Sequence, residues 1–179
     1  KRVLYLNLEK YGSSDAFFSA EGQFDMSDII FALKSKKANL SMKLESCVKQ
    51  EQHGVYFYTQ SKVALDMLEL TTEDMVRLIK ELELTGSYDY IIIDTPPALN
   101  ILTINAYVCS NSLIVPMEAE ILSLVGVTQL QETIETVRST FNPDLKVLGI
   151  LLNKFTPRFI LSREVLDLAD EVARQLGTR

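Results

Sequence analysis

The sequence predicts an α/β fold of the doubly wound kind, in which helices cover both faces of a mostly parallel sheet. Short apolar runs alternate along the chain with amphipathic segments of helical period. Several of these runs are apolar at nearly every position, which is typical of strands buried on both faces. The predicted strands are Arg2–Leu8, Val55–Tyr58, Tyr90–Ile93, Ser112–Met117 and Lys146–Leu152.

The predicted helices carry start and stop signals. Thr71 opens a TTED sequence that resembles a capping box, and Gly86 follows the same helix where a C-terminal glycine is expected. Asn142-Pro143 ends the longest helical segment. The predicted helices are Asp25–Lys37, Ser41–Gln50, Ser61–Leu70, Thr71–Leu84, Leu99–Cys109, Glu120–Phe141 and Ser162–Leu176.

Composition narrows the class of protein. A length of 179 residues fits a single domain, residues 1–179, and 47% hydrophobic residues are enough for a sizeable core. A net charge of −6 argues against broad attraction to DNA or to an anionic membrane. Because His53 is the only histidine, a histidine-based metal site or a Ser-His triad is nearly excluded. Two isolated cysteines fit reduced thiols, so a cytoplasmic location is predicted.

A carboxylate ends the third predicted strand. The sequence Ile91-Ile92-Ile93-Asp94 places it at the carboxyl edge of the sheet, where open α/β sheets bind ligands. A carboxylate there can accept hydrogen bonds from the water shell that Mg²⁺ keeps when it binds a nucleotide. Thr95-Pro96-Pro97 then turns the chain stiffly. The alternative is that Asp94 caps the next helix.

The segment around this strand resembles the ParA/MinD family of deviant-Walker P-loop ATPases. The resemblance rests on YDYIIIDTPP at Tyr88–Pro97, on ALNILTINAYVCSNSLIVPMEAEILSLVGVTQL after it, and on LKVLGILLNKFTPR and LSREV further on. From the DTPP turn onward, the chain is most similar to partition-type ParA proteins. Before it, RVLYLNLEKYGSSDAFF and VYFYTQSKVALDMLELTTEDM resemble the TadZ/CpaE branch, which positions pilus machinery. The resemblance implies a P-loop NTPase-like sheet whose Walker-B strand is Tyr90–Ile93.

The resemblance also implies roles for four residues. Asp94 would reach Mg²⁺ through water. The second strand of the family usually ends D-x-D, and here the motif is Asn7-Leu8-Glu9. Glu9 is then the catalytic candidate that orients the attacking water, although the change of both acids argues against efficient hydrolysis. Asn153 and Lys154 follow the last strand, where relatives hold the base of ATP. The alternatives are solvated Glu9 and Lys154 side chains and a turn-capping Asn153.

The phosphate loop of the family is missing from the sequence. That loop has the form KGGxGKT and offers backbone N–H groups and lysines to the phosphates. No Gly-Lys dipeptide occurs among the 179 residues. In the family the strand before the loop is central and lies beside the Walker-B strand, so its loss should leave unpaired backbone groups on both neighbours. Truncation of the chain at both ends is the favoured explanation, and a rearranged domain without catalysis is the other.

Three functions compete. The first is the nucleotide-binding domain of a ParA/MinD/TadZ-like ATPase that uses ATP and Mg²⁺, inactive as this isolated chain. Its parent protein would form a homodimer and serve DNA partition or the positioning of pilus or secretion machinery. The second is a non-catalytic scaffold that binds a partner through helix faces such as Glu120–Phe141. The third is a receiver-like flavodoxin-fold domain that would use Asp94, Glu9 and Lys154.

Membrane binding is not expected, because no apolar run is long enough to span a bilayer. The last predicted helix also lacks the basic face of a membrane-surface helix, since its outer face is acidic. Its other face is an apolar stripe suited to core packing. The predicted stripe is Leu161, Val165, Leu168, Val172 and Leu176.

Overall fold

Apolar runs form strands and amphipathic segments form helices in a computed structural model of the chain, which describes residues 1–9, 14–18, 22–35, 39–61, 63, 69–118, 121–156 and 160–178. The chain divides into two compact units, Lys1–Ala106 and Tyr107–Arg179. A single domain therefore stays a prediction. In chain order the elements are β1 (Val3–Asn7), α1 (Ser14–Phe17), α2 (Met26–Ser35), α3 (Leu40–Cys47), β2 (Lys49–Gln50), β3 (Val55–Phe57), α4 (Thr72–Thr85), β4 (Tyr90–Asp94), α5 (Ile101–Cys109), β5 (Ser112–Glu118), α6 (Ile121–Thr140), β6 (Lys146–Asn153) and α7 (Ile160–Gln175).

Four strands form the sheet of the first unit, in the order β2-β3-β1-β4. Strand β1 is parallel to both of its neighbours, whereas β2 is antiparallel to β3. Gly54, at a φ of 90° that favours glycine, lies in the tight connection between β2 and β3. The predicted continuation of helix α3 to Gln50 is wrong, because the helix ends at Cys47 and this hairpin draws Lys49–Gln50 into the sheet.

Side-chain alternation and helical periodicity together create the core of the first unit. In β1, Leu4 and Leu6 point to the same face and are fully buried. Helices α2, α3 and α4 pack against one another. Helix α4 buries Met75, Leu78 and Leu82, which recur at the spacing of one helical face. The predicted helix Ser61–Leu70 lies mostly outside the described residues.

Helix α4 begins and ends as the sequence predicts. Thr71 and Asp74 form a capping box, in which Asp74 N donates to Thr71 Oγ1 at 3.2 Å and Thr71 N donates to Asp74 Oδ2 at 3.0 Å. Gly86 ends the helix in the left-handed region, at a φ of 58°. The Lys34 ammonium of α2 also donates to Asp74 Oδ2, at 2.7 Å. The cap therefore ties α4 to α2 through one buried carboxylate.

The Asp74 carboxylate is expected to make stability depend on pH. Burial by itself raises the pKa of Asp74, but hydrogen bonds from Lys34 and Thr71 outweigh it and lower the pKa to about 2. Because this pKa lies below that of an unfolded aspartate, the stabilisation is present near neutral pH. It is lost as the pH falls from about 4 towards 2. Asp74→Asn should lower the free energy of unfolding by about 2 kcal/mol at neutral pH.

Urea denaturation of the wild type and of Asp74→Asn at neutral pH and at pH values below about 4 measures this effect. The difference between the two proteins should shrink with acidification. Glu83→Gln, which removes an exposed carboxylate from the same helix, is the control and should change stability little at either pH. An Asp74→Asn effect that stays constant with pH would contradict the assignment.

Strand β4 is an edge strand among the described residues. Strand β1 pairs with it along one side, from Val3–Tyr90 to Asn7–Asp94, and no described strand pairs along the other. On the face that β4 shares with Tyr5, Tyr90 and Ile92 are 51% and 54% exposed. The prediction of a strand buried on both faces is therefore wrong for Tyr90–Ile93. Strand β4 thus combines apolar side chains on both faces with one exposed face and one side that pairs with no described strand.

The second unit has a parallel sheet of two strands, β5 and β6. Helix α7 covers one face of this sheet, where Val165 and Ala169 form a buried cluster with Met117. Side chains on the other face remain open, since Ile114 is 62% and Leu151 is 60% exposed. This sheet thus also has an apolar face that no described element covers.

The buried stripe of helix α7 differs from the prediction. Val165 and Leu176 are buried as expected, but Leu168 is exposed and the stripe instead passes through Ala169 and Ala173. The two alanines lie four and eight positions after Val165, which is the spacing of one helical face, and Leu168 lies beside that line. No helix in the described part of the chain is both long enough and apolar enough to cross a membrane.

Candidate functional site

The carboxylate of Asp94 lies at the carboxyl end of β4, as the sequence predicts. Its backbone carbonyl accepts a hydrogen bond from Leu8 N at 2.9 Å, which continues the pairing with β1 by one step. Its side-chain Oδ2 accepts a hydrogen bond from the Tyr5 hydroxyl. The carboxylate is thus held at the sheet edge by the neighbouring strand.

Asp94 does not cap the following helix. Asn100 does so, because its Oδ1 accepts hydrogen bonds from Leu102 N at 2.9 Å and Thr103 N at 3.1 Å. The Thr103 hydroxyl bonds back to the carbonyl of Ala98 at 2.8 Å and fixes the turn after the two prolines. The capping alternative is therefore wrong, and the Asp94 carboxylate is available for another role.

Glu9 and Asn7 belong to a polar network at the same sheet edge. Asn7 Oδ1 accepts from Glu9 N at 2.7 Å, and Asn7 Nδ2 donates to Gln60 Oε1 at 3.2 Å. Gln60 Nε2 in turn donates to the Glu9 carbonyl at 2.8 Å. An aspartate at position 7 could not donate to Gln60, so the amide suits this network. The sequence interpretation missed Gln60, although its position shortly after β3, parallel to β1, could have indicated it.

The charge of Asp94 acts on the carboxylate of Glu9 at this edge. Burial raises the pKa of Glu9, and the negative charge of Asp94 raises it further. A cation between the two groups would relieve this repulsion, and carboxylate oxygens are ligands suited to Mg²⁺ and to its bound waters. No group of three or more His, Cys, Asp or Glu residues suited to a metal occurs in the described ranges. Two carboxylates alone would leave most positions around a Mg²⁺ ion to water or other ligands.

The second unit carries the other two predicted site residues at the end of β6. Asn153 Oδ1 accepts a hydrogen bond from the N–H of the next residue, Lys154, at 2.9 Å. Lys154 has a φ of 53°, in the left-handed region that non-glycine residues rarely adopt. Its ammonium lies 2.5 Å from Glu118 Oε1, but both side chains are largely exposed and the ion pair stabilises little. A base-binding role for Asn153 and Lys154 stays a prediction.

Sequence comparisons relate the chain to known proteins. A family model described as an AAA domain matches residues 19–147. The chain is 44% identical over 84 residues to the chromosome partitioning protein ParA of Myxococcus xanthus. The matched region covers 47% of this chain and 30% of that protein. It is also 30% identical over 168 residues to the sporulation initiation inhibitor protein Soj of Bacillus subtilis. That matched region covers 93% of this chain and 66% of Soj.

Among solved structures, one similar fold is that of cobyrinic acid a,c-diamide synthase from Mycobacterium smegmatis with bound ATP analog and magnesium. The TM-score is 0.74 at 28% identity, over 95% of this chain and 70% of that chain. This similarity confirms the predicted α/β fold with a parallel sheet and helices. The match spans about a third of the length of such chromosome partitioning ParA proteins.

The parallel strands and the helices that connect them define an α/β class of fold. Because the family model covers more than half of the residues, the chain belongs to this AAA domain family. More particularly, it belongs to the ParA/MinD-type P-loop ATPases, as the sequence predicts. The resemblance of its first half to the TadZ/CpaE branch stays a prediction.

Proposed function

We propose that the chain is the nucleotide-binding part of a ParA/MinD-type ATPase that uses ATP and Mg²⁺. The observation that carries the proposal is that the carboxylates of Asp94 and Glu9 lie at the same carboxyl edge of the first sheet, where burial and the charge of Asp94 raise the pKa of Glu9. Relatives named as chromosome partitioning proteins support a role in the localisation of DNA or of cell machinery. Pilus machinery remains a cargo suggested by the resemblance of the first half alone.

Each site residue has a proposed task. Asp94 holds the water shell of Mg²⁺, which neutralises phosphate charge when it is bound. Glu9 accepts a hydrogen bond from the attacking water and orients it. Asn7 and Gln60 fix the backbone that carries Glu9. Asn153 and Lys154 face the base, where the side-chain amide can both donate and accept hydrogen bonds.

We further propose that a segment outside these residues supplies the phosphate loop and completes one domain. Two features support this proposal. The chain contains no Gly-Lys dipeptide. Among the residues that the structure describes, β4 pairs along one side only and has an exposed apolar face. An added strand beside β4 would satisfy its backbone groups and cover Ile92. The loop after that strand would then lie at the edge that carries Asp94.

Phosphate release by the purified chain of residues 1–179 is expected to equal the blank. The reason is that this chain offers no loop of backbone N–H groups and lysine to hold the phosphates. The full-length protein should release phosphate under the same conditions. Release clearly above the blank by residues 1–179 alone would contradict the proposed need for an added loop.

A non-catalytic scaffold is the second candidate, and the open face of the second sheet favours it. Ile114, Leu148 and Leu151 are apolar and largely exposed there, as expected for a surface that binds a partner or a second copy. A scaffold would show no thermal stabilisation of the full-length protein by millimolar ATP or ADP. The receiver-like hypothesis is set aside, because the chain belongs to the ATPase family.

A further inference from the structure

The Tyr5 hydroxyl reaches the Asp94 carboxylate diagonally across two parallel strands. Tyr5 pairs with Ile92 and Asn7 pairs with Asp94, so Tyr5 and Asp94 lie on the same face, two residues apart along the strands. The hydroxyl donates to Asp94 Oδ2. A tyrosine is long enough to span this diagonal, whereas the aliphatic residues on either side of it in β1 carry no donor.

Aromatic packing fixes the ring of Tyr5. The Tyr5 and Phe18 ring centroids are 5.1 Å apart, and Phe18 stacks on Phe57 of β3 at 5.1 Å. Burial raises the pKa of Tyr5, and the hydrogen bond to Asp94 raises it further, so the hydroxyl keeps its proton near neutral pH. The donor is therefore held in place by the aromatic rings around it.

A hydrogen bond from a fixed donor limits the conformations of a carboxylate at a strand end. A charged oxygen makes the bond stronger than one between neutral groups. A carboxylate has about four lone-pair sites, so a bond to Oδ2 leaves Oδ1 available to other donors. The consequence is a carboxylate that presents one oxygen in a set direction before any ligand arrives.

We propose that Tyr5 is a positioning residue that orients the Asp94 carboxylate toward the water shell of Mg²⁺. This inference rests on the proposed function. Tyr5 itself touches neither the metal nor the nucleotide, and it acts only through Asp94. Loss of the hydroxyl alone should therefore weaken the response to Mg²⁺ without removing the catalytic groups.

The test compares ATP hydrolysis, and the affinity for ATP measured by calorimetry, between the full-length wild type and Tyr5→Phe over a range of Mg²⁺ concentrations. Phenylalanine keeps the ring that packs on Phe18. The Mg²⁺ concentration for half-maximal rate should rise about tenfold, as expected for the loss of a hydrogen bond to a charged group. At saturating Mg²⁺ the kcat should return to within a factor of about two of the wild type, because Asp94 and Glu9 remain.

Tyr56→Phe is the matched control. Tyr56 lies in the neighbouring strand β3, and the substitution removes only its hydroxyl. Because Tyr56 pairs with Leu4, its side chain lies on the opposite face of the sheet from Tyr5. Its Mg²⁺ dependence should equal that of the wild type. An unchanged Mg²⁺ dependence in Tyr5→Phe, or a fall in kcat that Mg²⁺ does not restore, would overturn the inference. A wild type without any Mg-ATP-dependent activity would overturn the proposed function as well. The wild type therefore tests the proposed function, whereas the comparison with Tyr5→Phe tests the role of Tyr5.

Discussion

Asp94→Asn in the full-length protein is expected to lower kcat for ATP hydrolysis by about 100-fold or more. The substitution keeps the size of the side chain and an oxygen that can accept from Tyr5, but it removes the negative charge that would hold the water shell of Mg²⁺. Stability should change little, because the carboxylate is not needed to cap helix α5. Phosphate release at saturating ATP and Mg²⁺ measures the effect.

Asp89→Asn is the matched control for Asp94→Asn. Asp89 immediately precedes β4, at the opposite end of the strand, where its Oδ2 accepts from Arg2 N at 2.6 Å. The control makes the same chemical change far from the carboxyl edge, so kcat should stay within a factor of about two of the wild type. Equal losses in both variants, or no loss in Asp94→Asn, would remove Asp94 from the proposed site.

Leu6→Ala should lower the free energy of unfolding of residues 1–179 by about 3 kcal/mol. Leu6 is fully buried in β1, the strand that joins β3 to β4, so the substitution leaves a cavity in the centre of the first unit. Ile92→Ala removes a side chain of similar size from the adjacent strand, where it is 54% exposed. It should cost less than about 1 kcal/mol, because little apolar area returns to water. Urea denaturation of the three proteins measures both values.

The same pair of variants in the full-length protein tests whether a further strand covers β4. There, Ile92→Ala should cost about 2 kcal/mol or more, because Ile92 would become a core residue. The effect of Leu6→Ala should remain similar, since Leu6 is already buried. An Ile92→Ala effect that is equally small in both proteins would contradict the proposed added strand.

Sequence patterns predicted most elements of the fold because strand and helix periods are local properties. The position of Asp94 at the carboxyl end of β4 was predicted correctly, because Asp94 directly follows the apolar run that forms the strand. The capping box at Thr71 was predicted for the same reason, as Thr71 and Asp74 are only three residues apart. The two-residue strand β2 was missed, because its pairing depends on a hairpin rather than on any pattern within Lys49–Gln50.

Contacts between distant parts of the chain were not predictable from the sequence. The bond from Tyr5 to Asp94 depends on the register of β1 against β4, which no local pattern specifies. Gln60, shortly after β3, joins the site through hydrogen bonds with the Asn7 side chain and the Glu9 carbonyl. Leu168 was assigned to the core because it is apolar, but packing through the smaller Ala169 and Ala173 leaves it exposed.

The central claim is that this chain forms the Mg²⁺-facing edge of an ATPase whose phosphate loop lies outside these residues. Calorimetric titration of the full-length protein with ATP, in the presence and absence of Mg²⁺, tests it most directly. The expected result is saturable binding that is clearly tighter with Mg²⁺ in the wild type and loses this Mg²⁺ dependence in Asp94→Asn. No binding at millimolar ATP, or binding that Mg²⁺ and Asp94→Asn leave unchanged, would contradict the claim.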